Sequence, residues 1–166
     1  MAAANPCPCG FLGNLDKCRC RPEQVDRYNQ KLSGPLLDRI DMQLQISVVS
    51  RSEMRKADSM NTAEVETSAT IASRVTAARN RQIARQGKPN AHLDTTELKV
   101  FCALGDAQNN LLEQLENRFD LSTRGSHKLI KLARTIADLD GQSEITSEHL
   151  LLSSRFRKRA DEERLS

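Results

Sequence analysis

Residues 121–139 read LSTRGSHKLIKLARTIADL, and this stretch predicts a helix from Ser122 to Leu139, closed by Asp140 and Gly141. The chain of 166 residues contains no Trp and a single Tyr. A core must therefore be built from Leu, Ile, Val and Ala, which favours packed helices.

Helix signals recur on both sides of this stretch. Thr146 is a suitable N-cap for the last helix, with Ile145 and Leu150 at the positions of a hydrophobic staple. Further helices are predicted over residues 22–32, 62–86, 95–103 and 106–117. The hundred C-terminal residues are thus predicted to form an all-helical domain.

The long helix over residues 62–86 has Thr62 as its predicted N-cap, and Gly87 and Pro89 end it. Small and apolar side chains form one stripe along it: Val65, Ala69, Ala72, Thr76 and Ile83. Basic side chains fall on the opposite side: Arg74, Arg81 and Arg85. The helix is therefore predicted to be amphipathic.

The N-terminal segment has a different character, rich in Cys, Pro and Gly. Met42 to Val49 alternates imperfectly between apolar and polar residues and predicts a half-buried strand. The opening alanines resemble the last residues of another strand. Because neither has a partner strand nearby, both indicate a sheet that has been cut, and the chain is expected to be a piece of a longer protein.

Composition sets broad limits on function. The net charge of +3 neither demands nor excludes nucleic acid, because a local basic patch matters more than the total. The start has neither the basic region nor the apolar run of a signal peptide, and no stretch is long enough to span a membrane. We therefore expect a cytoplasmic protein with reduced thiols and no membrane partner.

Four of the five cysteines fall in one window: Cys7, Cys9, Cys18 and Cys20. Two close pairs of thiolates can complete a tetrahedral shell around zinc, with Gly10 and Gly13 giving the loop its freedom. Such a closed site is structural and leaves no position for a catalytic water. The alternative is four reduced cysteines in a loop. Cys102, the fifth cysteine, lies far from this window in the sequence.

Two arginines are candidates for contact with phosphate. Arg39 follows a Pro-fixed turn, and its planar, permanently charged fork suits a nucleotide phosphate. The alternative is a surface ion pair with Asp38 or Asp41. Arg124 lies in the first turn of its helix, where a cation is unfavourable unless it meets an anion. A solvated side chain remains the alternative there.

Several of these pieces occur together, in order, in one family. The segments AANPCPCG (3–10), CRC (18–20), SGPLLDRID (33–41) and ARTIADL (133–139) resemble the magnesium-chelatase-like AAA+ ATPases of bacteria, and the ComM/YifB type most closely. The resemblance implies a mostly α chain: a helical AAA+ lid domain, preceded by a truncated remnant of the α/β AAA+ core that carries the zinc loop.

The resemblance also implies roles. Asn5 matches the sensor-1 residue, Arg39 the arginine finger that acts on ATP in a neighbouring subunit, and Arg124 the sensor-2 residue of the lid. The implied domains are residues 1–50 (core remnant), 51–61 (linker) and 62–166 (lid). Members are hexameric motors, and the ComM type is associated with DNA branch migration in natural transformation.

The phosphate-binding G-x-x-x-x-G-K-[ST] loop does not occur in this chain, nor does an apolar strand ending in acidic residues for Mg²⁺. ATP and Mg²⁺ are therefore expected only in a complete parent protein, and this chain is expected to be inactive alone. One alternative is a stand-alone zinc-stabilised nucleic-acid-binding module using Arg74, Arg81 and Arg85. Another is a magnesium chelatase subunit of tetrapyrrole synthesis, which the paired cysteines disfavour.

Overall fold

The structure is a computed structural model, and it describes residues 2–14, 16–31, 36, 39–44, 46, 51 and 66–157. The chain divides into two compact units, Met1–Ile40 and Asp41–Ser166. Six α-helices and one 3-10 turn occur among the described residues: α1 Pro22–Asn29, α2 Ser68–Gln86, the 3-10 turn Asn90–His92, α3 Thr95–Phe101, α4 Asp106–Phe119, α5 Thr123–Leu139 and α6 Ser147–Ser154. The predicted mostly α fold is confirmed.

Helix α5, predicted from residues 121–139, is the central element of the second unit. It packs against α2, the 3-10 turn, α3 and α6. Its Leu129 and Ala133 are fully buried, as is Leu150 of α6. The rest of the buried core comes from the surrounding elements: Leu93, Leu98, Cys102, Leu115 and Ile145. Aliphatic side chains thus build the core, as the composition predicts.

Side-chain caps decide where the helices begin. The hydroxyl of Ser122 accepts a hydrogen bond from the Gly125 amide at 3.1 Å, and Thr146 caps α6 as predicted. The staple residues Ile145 and Leu150 are both buried. Helix α3 ends two residues earlier than predicted and α4 two residues later, differences that are common at helix termini, whereas α1 ends three residues earlier.

Helix α2 starts later than predicted and ends where predicted. It begins at Ser68, because the hydroxyl of Thr67 accepts a hydrogen bond from the Thr70 amide at 3.2 Å. The predicted cap Thr62 lies outside the described residues. Gly87 ends the helix with a φ of 74°, in the left-handed region that favours glycine, and its amide donates to the carbonyl of Ile83.

The predicted apolar stripe of α2 is wrong. Its described members are all exposed: Ala69, Ala72, Thr76 and Ile83. Val65 lies outside the described residues. The buried residues of α2 are instead Ala78 and Gln82. The helix turns a partly basic side towards α5 because Arg85 binds the buried carboxylate of Asp138 and Arg81 donates to the backbone carbonyl of the same residue. A pattern of apolar residues does not record these attractions.

The predicted strands are not found among the described residues. Met42–Leu44 and Ile46 have no strand partner there, and the amide of Gln43 donates instead to the carbonyl of Phe156 at 3.0 Å. Residues 45 and 47–49 lie outside the description, as does the proposed linker except for Arg51. Ala2–Ala4 are exposed and form no strand. None of the described helices has the length and apolar character needed to cross a bilayer.

Candidate functional site

The first unit brings the four paired cysteines together through two tight turns. Gly10 has a φ of 81°, and its amide donates to the carbonyl of Cys7 at 3.0 Å. The side chain of Asn14 accepts hydrogen bonds from the amides of Asp16 and Lys17. The carbonyl of Asn14 accepts from the Cys18 amide at 2.8 Å, which returns the chain towards the first pair.

The sulfur atoms are arranged as a metal shell requires. The Sγ atom of Cys7 lies 3.4 Å from that of Cys9 and 4.0 Å from that of Cys18, and Cys9 and Cys18 are 3.7 Å apart. All four sulfurs, including that of Cys20, lie within 4.8 Å of one another. Four sulfurs at about 2.3 Å from a central zinc lie about 3.8 Å apart in a tetrahedron. These four cysteines can therefore hold a metal ion.

The thiols of this cluster have strongly different acidities. A backbone hydrogen bond at Phe11 lowers the pKa of Cys9 to about 6, so this sulfur is a ready thiolate. Hydrogen bonding with Cys9 raises the pKa of Cys20 to about 12. The pKa of Cys18 is also raised, because desolvation and the neighbouring sulfurs outweigh a backbone hydrogen bond at Cys20. Without a metal, Cys18 and Cys20 therefore favour the protonated thiol. A divalent cation bound by the cluster stabilises all four thiolates and so favours loss of these protons.

The predicted sensor-1 residue lies beside this loop. Asn5 is exposed, and a Cβ atom placed on Gly10 would lie 3.6 Å from its Cγ atom. The Cys7–Gly10 turn therefore passes close to the amide of Asn5. The structure thus brings the predicted sensor residue next to the cysteine loop within the first unit.

The predicted finger, Arg39, is exposed at the end of the first unit. Its amide donates to the carbonyl of Leu36 at 3.0 Å, which closes a turn. Asp38, one candidate for its ion pair, lies outside the described residues. Asp41, the other candidate, pairs instead with Lys128 at 3.0 Å. Among the described residues, no carboxylate forms an ion pair with Arg39.

The predicted sensor-2 residue, Arg124, is the second residue of α5 and is exposed. Its neighbours Gly125 and Ser126 are buried, so the helix start is anchored while the guanidinium stays accessible. Asn5 and Arg39 belong to the first unit and Arg124 to the second.

A buried polar network was missed by the sequence reasoning. The carboxylate of Asp138 accepts hydrogen bonds from Arg85 at 2.6 and 3.0 Å and from the Asn90 amide at 2.8 Å. Arg134 Nη2 lies 3.1 Å from the same carboxylate. The side chain of Arg134 is 2 % exposed, and it also donates to the carbonyls of Ser143 and Gln142. The signal available in the sequence was an Arg and an Asp four residues apart on one predicted helix.

The network keeps Asp138 ionised. Burial raises the pKa of this carboxyl, but hydrogen bonds from Arg85 and Asn90 and the charge of Arg134 outweigh that effect and lower it overall. Burial also disfavours the charged form of Arg134 and lowers its pKa, although the neighbouring carboxylate of Asp138 acts in the opposite direction. Two guanidinium groups and one carboxylate thus form the polar centre between α2, the 3-10 turn and α5.

The same contacts weaken the alternative of a stand-alone nucleic-acid module. Arg85 is bound to Asp138, and Arg81 donates to the Asp138 carbonyl at 2.8 Å. Arg74 pairs with Glu66 at 2.6 Å. The three arginines on which that alternative depended are therefore engaged within the chain.

Comparison with known proteins agrees with both units. The family model described as magnesium chelatase, subunit ChlI, matches residues 1–54, and the model of the C-terminal region of the same subunit matches residues 65–157. The chain therefore belongs to the magnesium chelatase family. Within that family it is similar to the uncharacterized protein YifB of Escherichia coli K12, with 42% identity over 95% of this chain.

It is also similar to the competence protein ComM of Haemophilus influenzae, with 35% identity over 95% of this chain, and to an uncharacterized protein of Mycobacterium bovis, with 31% identity. The predicted ComM/YifB type is thus confirmed. The chain spans 30% of the length of the first two relatives.

Proposed function

We propose that this chain is the C-terminal part of a ring-forming AAA+ ATPase of the ComM type. The observation that carries the proposal is the collinear match of the two family models, over residues 1–54 and 65–157. Asn5 and Arg39 lie in the first match and Arg124 in the second. The proposed domains are the core remnant (1–50), the linker (51–61) and the helical lid (62–166).

In this proposal each polar residue acts on a phosphate of ATP in the complete protein. Arg39 is exposed and without an ion pair among the described residues, so its guanidinium can reach across a subunit boundary. There it stabilises the charge that develops during phosphoryl transfer. Asn5 orients the attacking water. ATP and Mg²⁺ are bound by the parts of the complete protein that this chain lacks.

Arg124 is proposed to contact the nucleotide from the lid. It lies in the first turn of α5, where the amides at the helix start favour an anion. A cation at this position is unfavourable unless an anion is bound there. Occupancy of the nucleotide site would therefore stabilise the start of α5.

We propose that the metal of the first unit is a structural Zn²⁺. Four thiolates at tetrahedral spacing form a closed shell, which excludes a catalytic water at the metal. When bound, the ion supplies no chemistry to ATP hydrolysis. Its role is to hold the loop beside Asn5 in one conformation. The four cysteines therefore contribute to the proposed sensor by fixing the loop next to it.

The substrate of the motor is proposed to be DNA, acted on by branch migration or helicase activity in a hexameric cytoplasmic ring. The support is the similarity to a relative named a competence protein. The alternative of a magnesium chelatase subunit is supported by the family name alone. The alternative of a stand-alone nucleic-acid-binding module is disfavoured, because its three arginines form contacts within the chain.

The test is Arg39→Ala in the complete protein. ATP turnover should fall by on the order of 10³-fold, because a finger stabilises the transition state, while ATP binding should change little. A surface ion pair would leave turnover unchanged. The 166-residue chain alone, which lacks the phosphate-binding loop, should show no turnover above a buffer blank.

Mixed rings provide the control. Arg39→Ala subunits should regain partial activity when mixed with subunits that lack the lysine of the phosphate-binding loop, because some interfaces then carry neither lesion. Mixed rings that assemble but remain inactive would show that Arg39 does not act across the interface.

A further inference from the structure

The loop between the two cysteine pairs carries an exposed apolar tip. Phe11 is 48% exposed and Leu12 is 39% exposed. The amide of Asn14 donates to the carbonyl of Phe11 at 3.0 Å, which closes a tight turn. Gly13 is the third residue of this turn, with a φ of 85°, and a Cβ atom placed on it would meet no atom within 4 Å. The turn therefore presents Phe11 and Leu12 to solvent.

Basic side chains accompany this tip. Lys17, Arg19 and Arg21 alternate along the chain with the second cysteine pair, and all three are exposed. The ammonium of Lys17 lies 5.7 Å from the centroid of the Phe11 ring, within the range of a cation–π contact. In the part of the first unit that the structure describes, no carboxylate forms an ion pair with any of the three. These cations are therefore available to an anionic ligand.

The cysteine loop anchors the aromatic residue and the central cation to one atom. The backbone amides of Phe11 and Arg19 both form hydrogen bonds with the sulfur of Cys9. Because the two amides converge on the same proposed metal ligand, the backbone positions of Phe11 and Arg19 are fixed relative to each other. A surface that is preorganised in this way loses less conformational entropy on binding than a flexible loop does.

An exposed aromatic ring beside several cations suits single-stranded nucleic acid. Unpaired bases can stack on an aromatic side chain, and lysine and arginine bind the phosphates of the same strand. The bases of a duplex are already stacked on one another, so they do not offer their faces to such a ring. The surface uses none of the arginines of α2, and their contacts within the chain do not affect it.

We propose that the tip of the cysteine loop is a contact for single-stranded DNA, in which a base stacks on Phe11 and the three neighbouring cations bind phosphates. The proposal rests on the proposed function, and it names the form of DNA that the first unit contacts. Branch migration and unwinding both expose unpaired bases. A contact of this kind therefore engages DNA where the strands have separated.

The first experiment measures the fluorescence anisotropy of a labelled oligothymidine titrated with the zinc-loaded 166-residue chain. Phe11→Ala and Phe11→Leu should each weaken binding by roughly tenfold, because both remove the stacking surface, whereas Phe11→Tyr should retain the affinity. Each variant should still contain one zinc ion, which shows that the loop remains formed. Retained affinity in Phe11→Leu would show that no base stacks there, and would overturn the proposal. No measurable binding by the wild-type chain at low salt would also overturn it.

The salt dependence of binding separates the cations from the ring. Arg19→Gln should weaken binding and lower the slope of the logarithm of affinity against the logarithm of salt concentration by about 0.7, because one phosphate contact is lost. Phe11→Ala should leave this slope unchanged. Arg79→Gln is the matched control, because Arg79 is exposed on α2 and its loss changes the net charge equally. Equal changes of slope in Arg19→Gln and Arg79→Gln would contradict a local contact.

The second experiment measures DNA binding and ring assembly in the complete protein. Phe11→Ala should weaken binding of oligothymidine more than binding of a blunt duplex of the same length. If Phe11→Ala instead lowers ring assembly and leaves DNA binding unchanged, the tip contacts protein and the proposal is wrong. The proposed function is tested separately by ATP turnover in Arg39→Ala. If that variant loses turnover while Phe11→Ala binds oligothymidine normally, only the DNA contact is refuted.

Discussion

The buried carboxylate of Asp138 offers the sharpest test of how the helical unit is held together. Asp138→Asn keeps the shape of the side chain but removes the negative charge that faces Arg134 and Arg85. The side chain of Arg134 is 2% exposed and that of Arg85 is 25% exposed. The substitution therefore leaves two guanidinium groups without their counter-charge, and one of them has no access to water.

The size of the effect follows from these exposures. Removing one partner of a buried ion pair costs about 3–5 kcal/mol. Because water reaches part of Arg85, we expect a loss near the lower end, about 3 kcal/mol of the free energy of unfolding. The Asn side chain can still accept one hydrogen bond, which again favours the lower figure.

The assay is urea unfolding followed by far-ultraviolet circular dichroism, with the slope of the transition compared between variants. Glu66→Gln is the matched control, because it breaks an exposed ion pair with Arg74. The side chain of Glu66 is 45% exposed and that of Arg74 is 53% exposed. That control should cost less than about 1 kcal/mol. An Asp138→Asn protein within 1 kcal/mol of wild type, with an unchanged slope, would refute the reasoning.

Other predictions follow from the same contacts. The freshly purified, reduced chain should contain one zinc ion, which Cys9→Ser loses and Cys102→Ser keeps; equal loss from both variants in metal analysis would contradict the assignment. Zinc affinity should rise with pH, because the pKa of Cys20 is raised to about 12 and its proton must leave on binding. The stabilising effect of Asp138 should be complete well above the unfolded-state pKa of about 3.9 and be lost as the pH falls through its lower folded-state pKa. The stability difference between wild type and Asp138→Asn should accordingly be constant near neutral pH and shrink below about pH 4, and a constant difference down to pH 3 would contradict it.

The segment ARTIADL (133–139) contains residues that hold the helical unit together. It was useful as a family signature, and the structure shows that its polar residues build the centre of the helical unit. Arg134 binds the carbonyls of Gln142 and Ser143 beyond the helix end, and Thr135 accepts a hydrogen bond from Asn90 at 3.0 Å. Arg134 and Asp138 are therefore structural residues, whereas Arg124 on the same helix is exposed.

The cysteine loop shows how far local sequence can reach. Two close pairs of cysteines separated by turn residues predict a four-sulfur cluster, and the structure brings the four together. The prediction succeeds because all the contacts lie within about fifteen residues, where tight turns limit the possible arrangements. The very different acidities of Cys9 and Cys20 depend on individual hydrogen bonds and could not be predicted.

The sequence alone was sufficient for the helices, for the caps Thr146 and Gly87, and for the aliphatic core, since these depend on periodicity and on residues within one turn of each helix end. The orientation of α2 was decided only in the tertiary structure. Arg85 binds the carboxylate of Asp138 and Arg81 binds its backbone carbonyl, both more than fifty positions away in the chain, and these attractions outweigh the burial of a weak apolar stripe. The ion pair between Asp41 and Lys128 joins still more distant segments. Charges far apart in a sequence carry no local signal of their partners, because only the packed helices bring them within hydrogen-bonding distance.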